Sequence, residues 1–309
     1  MYMYLPIALT SVNYLLVVGL GLGVGLLSGL FGVGGGFLMT PLLMMIGIPP
    51  TIAAASDANQ IVAASASGTL AHWRLGNVDY KMGIFLLIGG FVGGAAGVQL
   101  IKVLRASGGA DFLIKITYVV MLGVVGSFMF VESLHALRQQ KKNNAAGKEE
   151  KTAVPKKGGL LSRLPMQIYF EKSGVTHSAL VPIVLGVLVG VLAAIMGVGG
   201  GFLMVPVMIY MLRMPMHVVV GTSLFQIMFT CIEVTFLQAY TNHTVDFFLA
   251  ILLLVGSTFG AQAGTALGKK LHGDQLKILL AIIVLAVTVK IVLELTLQPD
   301  FLLAYAGGH

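Results

Sequence analysis

The segment Phe31-Gly-Val-Gly-Gly-Gly-Phe-Leu-Met-Thr-Pro41 recurs almost letter for letter as Met196-Gly-Val-Gly-Gly-Gly-Phe-Leu-Met-Val-Pro206. Each copy interrupts an apolar stretch, and each is preceded by two glycines four residues apart. A repeated Gly-rich interruption inside apolar sequence is typical of membrane proteins whose two half-domains meet at a shared site, as in many secondary transporters.

The composition of the chain excludes an ordinary soluble domain. Of the 309 residues, 57% are hydrophobic and 10% are charged, whereas soluble domains carry about 25% charged residues. Nine of the 19 Lys and Arg residues lie between His135 and Gly174. This clustering is typical of a cytoplasmic loop and speaks against a nucleic-acid partner. The single cysteine, Cys231, excludes an internal disulfide and a cysteine metal cluster.

The two halves of the chain have the same order of apolar segments: long, short, long, long, long. The segments are 12–31, 37–47, 52–71, 82–104 and 112–131 in the first half, and 179–196, 202–212, 218–240, 247–267 and 276–295 in the second. The sequence therefore predicts an all-α polytopic membrane protein with two homologous repeats of about four to five membrane segments each. The predicted repeats cover residues 1–133 and 175–309, and a basic cytoplasmic linker covers 134–174.

The short segments, 37–47 and 202–212, cannot cross about 30 Å of hydrocarbon as straight helices. We therefore expect Gly-broken short helices, which survive at membrane depth only inside protein or beside a water-filled cavity. If each short segment counts as a crossing, the repeats are inverted; with an even count they are parallel. The distribution of positive charge favours inversion.

The glycine triplets are the first candidate site for a ligand. Glycine lets a backbone approach a ligand closely, and a helix that begins just after it adds a positive dipole end suited to an anion. The alternative is that the glycines only let helices cross closely. The candidate glycines are Gly34, Gly35, Gly36, Gly199, Gly200 and Gly201.

Polar side chains on one face of the helix after each break are the second candidate. They either line a substrate pathway or form hydrogen bonds between helices. The candidates are Asn59, Gln60, Thr222, Ser223 and Gln226.

Asp57 and Glu233 are the acids near the middle of apolar segments. A charged and unpaired acid there costs about 3 kcal/mol or more. We expect one of them to carry protons for coupled transport; the alternative is a protonated carboxyl group hydrogen-bonded to the backbone. The histidines are scattered, and the sequence contains no recognisable catalytic set, metal-ligand set, phosphate loop or cofactor motif.

The chain resembles the TauE/SafE family of membrane permeases, also called the sulfite exporter family. The resemblance rests on Gly32–Pro41, its repeat Gly197–Pro206, the segment Val220-Gly-Thr-Ser-Leu224 and the Gly-rich fourth helices. It covers nearly the whole chain apart from the linker and the C-terminal tail, and it implies movement of sulfite, sulfonates or related small organic anions. One departure is that Ser56-Asp-Ala-Asn59 stands where the second half has Gly221-Thr-Ser-Leu224, so that an acid replaces a neutral residue.

The sequence thus predicts a secondary transporter for a small anion in a plasma membrane, which is the bacterial inner membrane by resemblance. The glycine amides and the polar residues would bind the anion, Asp57 or Glu233 would carry protons, and the two halves would rock around the site. Its partners would be the anion and the lipid bilayer, with assembly into a homo-oligomer left open, and neither a cofactor nor a metal is expected. The alternatives are a passive anion channel and a membrane-embedded protein that does not transport.

Overall fold

The computed structural model describes residues 2–31, 36–146, 166–268 and 273–297, and these residues are mostly helical. The helices of the first half are α1 (Tyr14–Phe31), α2 (Gly36–Met45), α3 (Pro50–Arg74), α4 (Tyr80–Ala106) and α5 (Ala110–Ala146). Those of the second half are α6 (Leu180–Met196), α7 (Gly201–Tyr210), α8 (Met216–Leu237), α9 (Phe247–Gly268) and α10 (Gly273–Leu297). A π-helical turn, Gln238–Asn242, continues α8. The prediction of a helical protein is confirmed for these ranges.

Four helical stretches of the described residues are long and apolar enough to cross a bilayer, judged by length and composition. They are Tyr80–Ala106, Ala110–Phe128, Val218–Asn242 and Phe247–Gly264. Shorter apolar helices occupy Tyr14–Ser28, Gly36–Met45, Leu180–Met196 and Ile282–Leu293.

Two antiparallel β-hairpins are additions that the all-α prediction did not include. Strands β1 (Tyr2–Leu5) and β2 (Thr10–Asn13) precede α1, and β3 (Gln167–Phe170) and β4 (Val175–Ser178) precede α6. Strand β3 and the last turns of α5 lie inside the stretch 134–174 that the sequence analysis assigned to a linker, and β4 begins directly after it.

Two pairs of helices pack in backbone contact through faces lined by glycine. In each pair, one helix belongs to the first half of the chain and the other to the second half. In the α4–α6 pair, a methyl group added at Gly93 would lie 2.1 Å from the Val187 carbonyl oxygen. In the α1–α9 pair, a methyl group added at Gly260 would lie 2.1 Å from the Leu22 carbonyl oxygen. Such an approach replaces side-chain bulk with dense van der Waals contact, which holds helices together in lipid.

The contacts also give the relative directions of the helices. α1 runs parallel to α9, and α4 runs parallel to α6, because contacting residue numbers rise together. α3 and α8 are antiparallel, since Gly68 meets Leu224 while His72 meets Gly221. α5 and α10 are antiparallel too, since Gly126 meets Val284 while Gly123 meets Thr288. α3 and α8, which contact each other, form the centre of the molecule.

Candidate functional site

The second glycine break, residues 197–200, separates α6 from α7. Its backbone conformation and its close packing require glycine. Gly197, Gly199 and Gly200 have φ of 71°, 67° and 74°, the left-handed region that favours glycine. An added methyl group would lie 2.0 Å from the Ala54 carbonyl oxygen at Gly197 and 2.5 Å from the Cys231 sulfur at Gly199. Close packing against α3 and α8 is therefore one reason for this motif.

The amide groups of this break are a second feature. Gly199, Gly200 and Gly201 are buried, yet their N–H groups donate no hydrogen bond within the described part of the chain. Most buried N–H groups are paired, with protein or with water. These three lie at the N-terminus of α7, where the helix dipole adds positive potential. Together they are suited to hold an anion.

The beginnings of the two short helices meet inside the protein. The rings of Phe37 and Phe202, each the residue after its glycine motif, stack with centroids 4.4 Å apart and an angle of 13° between planes. Ile61 of α3 lies against both sides, because methyl groups added at Gly36 or Gly199 would reach its side chain within 3.3 Å. Gly34 and Gly35 lie outside the described residues.

Asp57 is fully buried beside the start of α2. Its Oδ2 accepts a hydrogen bond from Thr40 Oγ1 at 2.9 Å. The same hydroxyl lies 3.4 Å from the carbonyl oxygen of Met196, the last residue of α6. Tyr118 of α5 also donates to that carbonyl. The carboxylate oxygen Oδ1 has no hydrogen-bond partner among the residues that the structure describes. We call Thr40, Asp57, Tyr118 and the Met196 carbonyl the Asp57 cluster.

The polar stripe of α8, formed by Gln226, Thr230 and Glu233, faces α4 rather than the second glycine break. Gln226 Nε2 donates to Thr230 Oγ1 at 2.9 Å, and both atoms lie over Gly90. Glu233 is half-buried and lies over Gly94; its Oε2 has no partner. The side chains of α8 that contact the break are instead Ile227 and Cys231. Within the described residues, no hydrogen bond joins Gln226 or Glu233 to the break or to the Asp57 cluster.

The other predicted residues have separate surroundings. Gln60 is fully buried, and neither polar atom of its amide has a partner. Asn59 is partly buried. Ser223 donates to the Val220 carbonyl at 3.0 Å within its own helix. Thr222 is buried and serves as an acceptor for a loop of the other half, as follows.

Thr222 belongs to a contact that we call the Asp79 latch. Its Oγ1 accepts from the backbone N–H of Asp79 at 3.0 Å. Asp79 is the N-cap of α4: its Oδ1 accepts from the Met82 amide. Its Oδ2 accepts from Ser173, from the amide at 3.1 Å and from the hydroxyl at 2.5 Å. The latch joins the start of α4 to α8 and to the turn of the second hairpin.

An equivalent contact, the Asp246 latch, joins the opposite elements. The Asp246 amide donates to Ser56 Oγ of α3 at 3.1 Å. Asp246 Oδ1 accepts from two amides at the start of α9, and Oδ2 accepts from Ile7 in the turn of the first hairpin at 3.1 Å. Ser56 thus corresponds to Thr222. The pairing of Ser56 with Gly221 in the sequence analysis is wrong by one residue, and Asp57 corresponds to Ser223.

Sequence reasoning missed Thr40, Tyr118 and the two latch aspartates. Thr40 had a visible signal, because it is one of the two positions at which the repeated segments differ, with Val205 in the second copy. The aspartates lie in the matching loops Asn77-Val-Asp-Tyr80 and Thr244-Val-Asp-Phe247. Within the described residues, no three His, Cys, Asp or Glu side chains come together as a metal site.

Comparisons with known proteins agree on one family. The family model described as "Sulfite exporter TauE/SafE" matches residues 17–291. "Probable membrane transporter protein YunE" of Bacillus subtilis is 26% identical over 290 residues, covering 91% of this chain and 98% of that protein. "Probable membrane transporter protein YjnA" of the same organism is 27% identical over 277 residues, covering 89% of this chain and 98% of that protein. "Sulfite exporter TauE/SafE family protein 1" of Arabidopsis thaliana is 31% identical over 110 residues, which are 35% of this chain and 24% of that protein. No solved structure gives a significant match.

Proposed function

This chain belongs to the TauE/SafE family of membrane transporters, and from that premise we propose that it is a secondary transporter of a small anion such as sulfite or a sulfonate. The observation that carries the proposal is the set of buried amides at Gly199, Gly200 and Gly201, which donate no hydrogen bond within the described residues. An anion with two or three acceptor oxygens would satisfy these N–H groups without any change of fold.

The anion would sit at the second break rather than the first. Asp57 lies against the start of α2, because a methyl group added at Gly36 would lie 3.3 Å from its Oδ2. An ionised carboxylate in contact with the first break repels an anion there, whereas the atoms nearest to methyl groups added at Gly197, Gly199 and Gly200 include no carboxylate oxygen. The predicted ligands Gln226 and Ser223 would then act on the anion only after the helices move.

Alternating access is supported by the burial of this site. Ile61, Ile227 and Cys231 cover the second break, so an anion reaches the amides only when α3 or α8 moves away. Two packed halves that tilt against each other would open one side at a time. The halves would be inverted repeats, for which the antiparallel contacts of α3 with α8 and of α5 with α10 are the support. The plasma membrane is the proposed location.

The two latches fit such a movement. Each one joins a helix start in one half to a central helix of the other half, Asp79 to α8 and Asp246 to α3. In inverted repeats these latches would lie at opposite faces of the membrane, where they would close the two entrances.

Coupling to protons through Asp57 or Glu233 completes the proposal. Both acids are at least half-buried, and each has a carboxylate oxygen without a partner. A buried acid without a basic partner takes up a proton at low cost compared with staying charged.

The experiment is uptake of radiolabelled sulfite and a panel of small sulfonates into proteoliposomes, with and without an imposed pH gradient. Accumulation driven by the gradient would support the coupled carrier, with Gly200→Val as the variant that should abolish it. Single-channel currents without accumulation would replace the carrier by a passive channel. No flux of any compound in the panel would reject this substrate class.

A further inference from the structure

We infer that Asp57 is the coupling-proton site and that Thr40 transmits its protonation state to the end of α6. The proton site itself rests on the geometry of the Asp57 cluster. The word coupling rests on the proposed function, since it requires that transport takes place.

The Thr40 hydroxyl can donate to only one of the two oxygen atoms beside it at a time. The Thr40 hydroxyl has one hydrogen but two acceptors, Asp57 Oδ2 at 2.9 Å and the Met196 carbonyl at 3.4 Å. When Asp57 is ionised, this hydrogen points to the carboxylate, because hydrogen bonds to charged acceptors are the stronger ones. The Met196 carbonyl then keeps only the bond from Tyr118.

Protonation reverses the direction of this hydrogen bond. A proton added to a lone pair of Asp57 Oδ2 makes that oxygen a donor to Thr40 Oγ1. The Thr40 hydrogen is then free to point to the Met196 carbonyl, whose oxygen has two lone pairs and can accept from Thr40 and Tyr118 together. The proton comes from the aqueous phase to which the carrier is open, and it leaves by the same oxygen.

The consequence lies at the second break. Thr40 belongs to α2 of the first half, and Met196 immediately precedes the left-handed Gly197 of the second. With Asp57 protonated, the Thr40 hydroxyl donates to the Met196 carbonyl, so a hydrogen bond joins the two halves directly before the second glycine break. With Asp57 ionised, this hydrogen bond is absent. The proton on Asp57 therefore sets how firmly the anion-binding backbone is held.

The surroundings of Asp57 supply no competing charge. Tyr118 of α5 and Cys231 of α8 lie close enough to interact with it electrostatically. From α2 it meets Thr40, whose hydroxyl donates to Oδ2, and the start of the helix at Gly36. Within the described residues, no Lys, Arg or His forms a salt bridge with it, and the ion pair of Lys81 with Glu171 lies at the surface.

Glu233 has no such arrangement. Its Oε2 lies over Gly94 without a hydrogen-bond partner, so adding a proton there reorients no neighbouring group. The second half lacks an equivalent cluster as well. Val205 stands in place of Thr40, Ser223 stands in place of Asp57, and α10 contains no tyrosine. The described part of the chain therefore has one such site, in its first half.

The test is an infrared pH titration of the protein in liposomes, which needs no substrate. We expect a carbonyl stretching band of a protonated carboxyl group that is lost in Asp57→Asn and kept in Glu233→Gln. Thr40→Val removes the acceptor of the Asp57 proton, so the band should shift to higher frequency; Thr40→Ser should leave it in place. Tyr118→Phe is the matched control, since it removes a bond to the same carbonyl while the hydrogen bond between Thr40 and Asp57 stays in place.

A band that survives Asp57→Asn, no Asp57-dependent band over the pH range where the protein stays folded, or an unshifted band in Thr40→Val would overturn the inference. The same variants are then assayed with radiolabelled sulfite. Thr40→Val should still exchange sulfite at equal concentrations on both sides but lose accumulation driven by the pH gradient. If the wild type moves no sulfite while the infrared shifts appear, the proposed substrate fails and the proton site stands.

Discussion

Removing the Ser173 hydroxyl should loosen one hairpin and leave the other unchanged. In the Asp79 latch, Ser173 donates twice to the carboxylate, whereas Ile7 donates once in the Asp246 latch. Ser173→Ala removes the extra bond, which is buried: Ser173 is 2% and Asp79 3% exposed. A hydrogen bond to a charged group contributes about 1.5–3 kcal/mol. At about 1.4 kcal/mol per factor of ten, opening of this hairpin should rise about 10- to 150-fold.

Hydrogen–deuterium exchange with mass spectrometry measures this opening directly. The peptide over 166–180 in Ser173→Ala should exchange faster than in the wild type by that factor, because exchange of protected amides follows local opening. The peptide over 2–13 reports on the other latch in the same sample and should not change. A change below twofold at 166–180, or an equal rise in both peptides, would refute the reasoning that the hydroxyl strengthens one latch alone.

Three further substitutions test packing and capping. Gly93→Ala should lower the melting temperature of the detergent-solubilised protein, since overpacking costs about 1–3 kcal/mol; Gly23→Ala, with nothing within 4 Å of the added methyl group, should not. Gly199→Ala should speed maleimide labelling of Cys231, the single cysteine, because the methyl group displaces its thiol; an unchanged rate would contradict this contact. Thr222→Val should cost about 1–3 kcal/mol by leaving a buried amide unpaired, whereas Thr222→Ser should restore the melting temperature.

The sequence was sufficient for the helices because their boundaries follow from composition. Apolar runs predicted at 82–104 and 247–267 became α4 and α9, with Asp79 and Asp246 ending the polar loops before them. The hairpins could not be predicted in this way. Their strands are four residues long and, at Tyr2–Leu5, apolar enough to be taken for the edge of a membrane segment.

The glycine motif of the candidate site could be predicted because a local sequence encodes it. The direction in which the polar side chains of a helix point could not, because it depends on tertiary packing. Gly197, Gly199 and Gly200 have positive φ, which favours glycine, so the Gly-rich motif in the sequence predicts this backbone conformation. Which neighbour the α8 stripe would face depends on how α3, α4 and α8 cross, which no local pattern encodes. Gln226 was therefore grouped with the glycine amides as an anion ligand, although it lies over Gly90 of α4. The one-residue error at Ser56 has a similar cause, because the connection before α8 is one residue longer than that before α3.

Thr40 in the first half and Val205 in the second half differ because a second copy of the Asp57 cluster would bring the protein no advantage. Backbone geometry can be the same in both halves, but a second buried carboxylate near the anion site would add repulsion without adding a useful proton. If Asp57 is the coupling-proton site inferred above, an empty carrier would hold it ionised, and a loaded one would hold it neutral beside a monovalent anion. The buried charge would be −1 in both states. A membrane potential, which acts on a moved charge with about 2.3 kcal/mol per 100 mV, would then do no net work on the cycle, and the pH and anion gradients alone would set its direction.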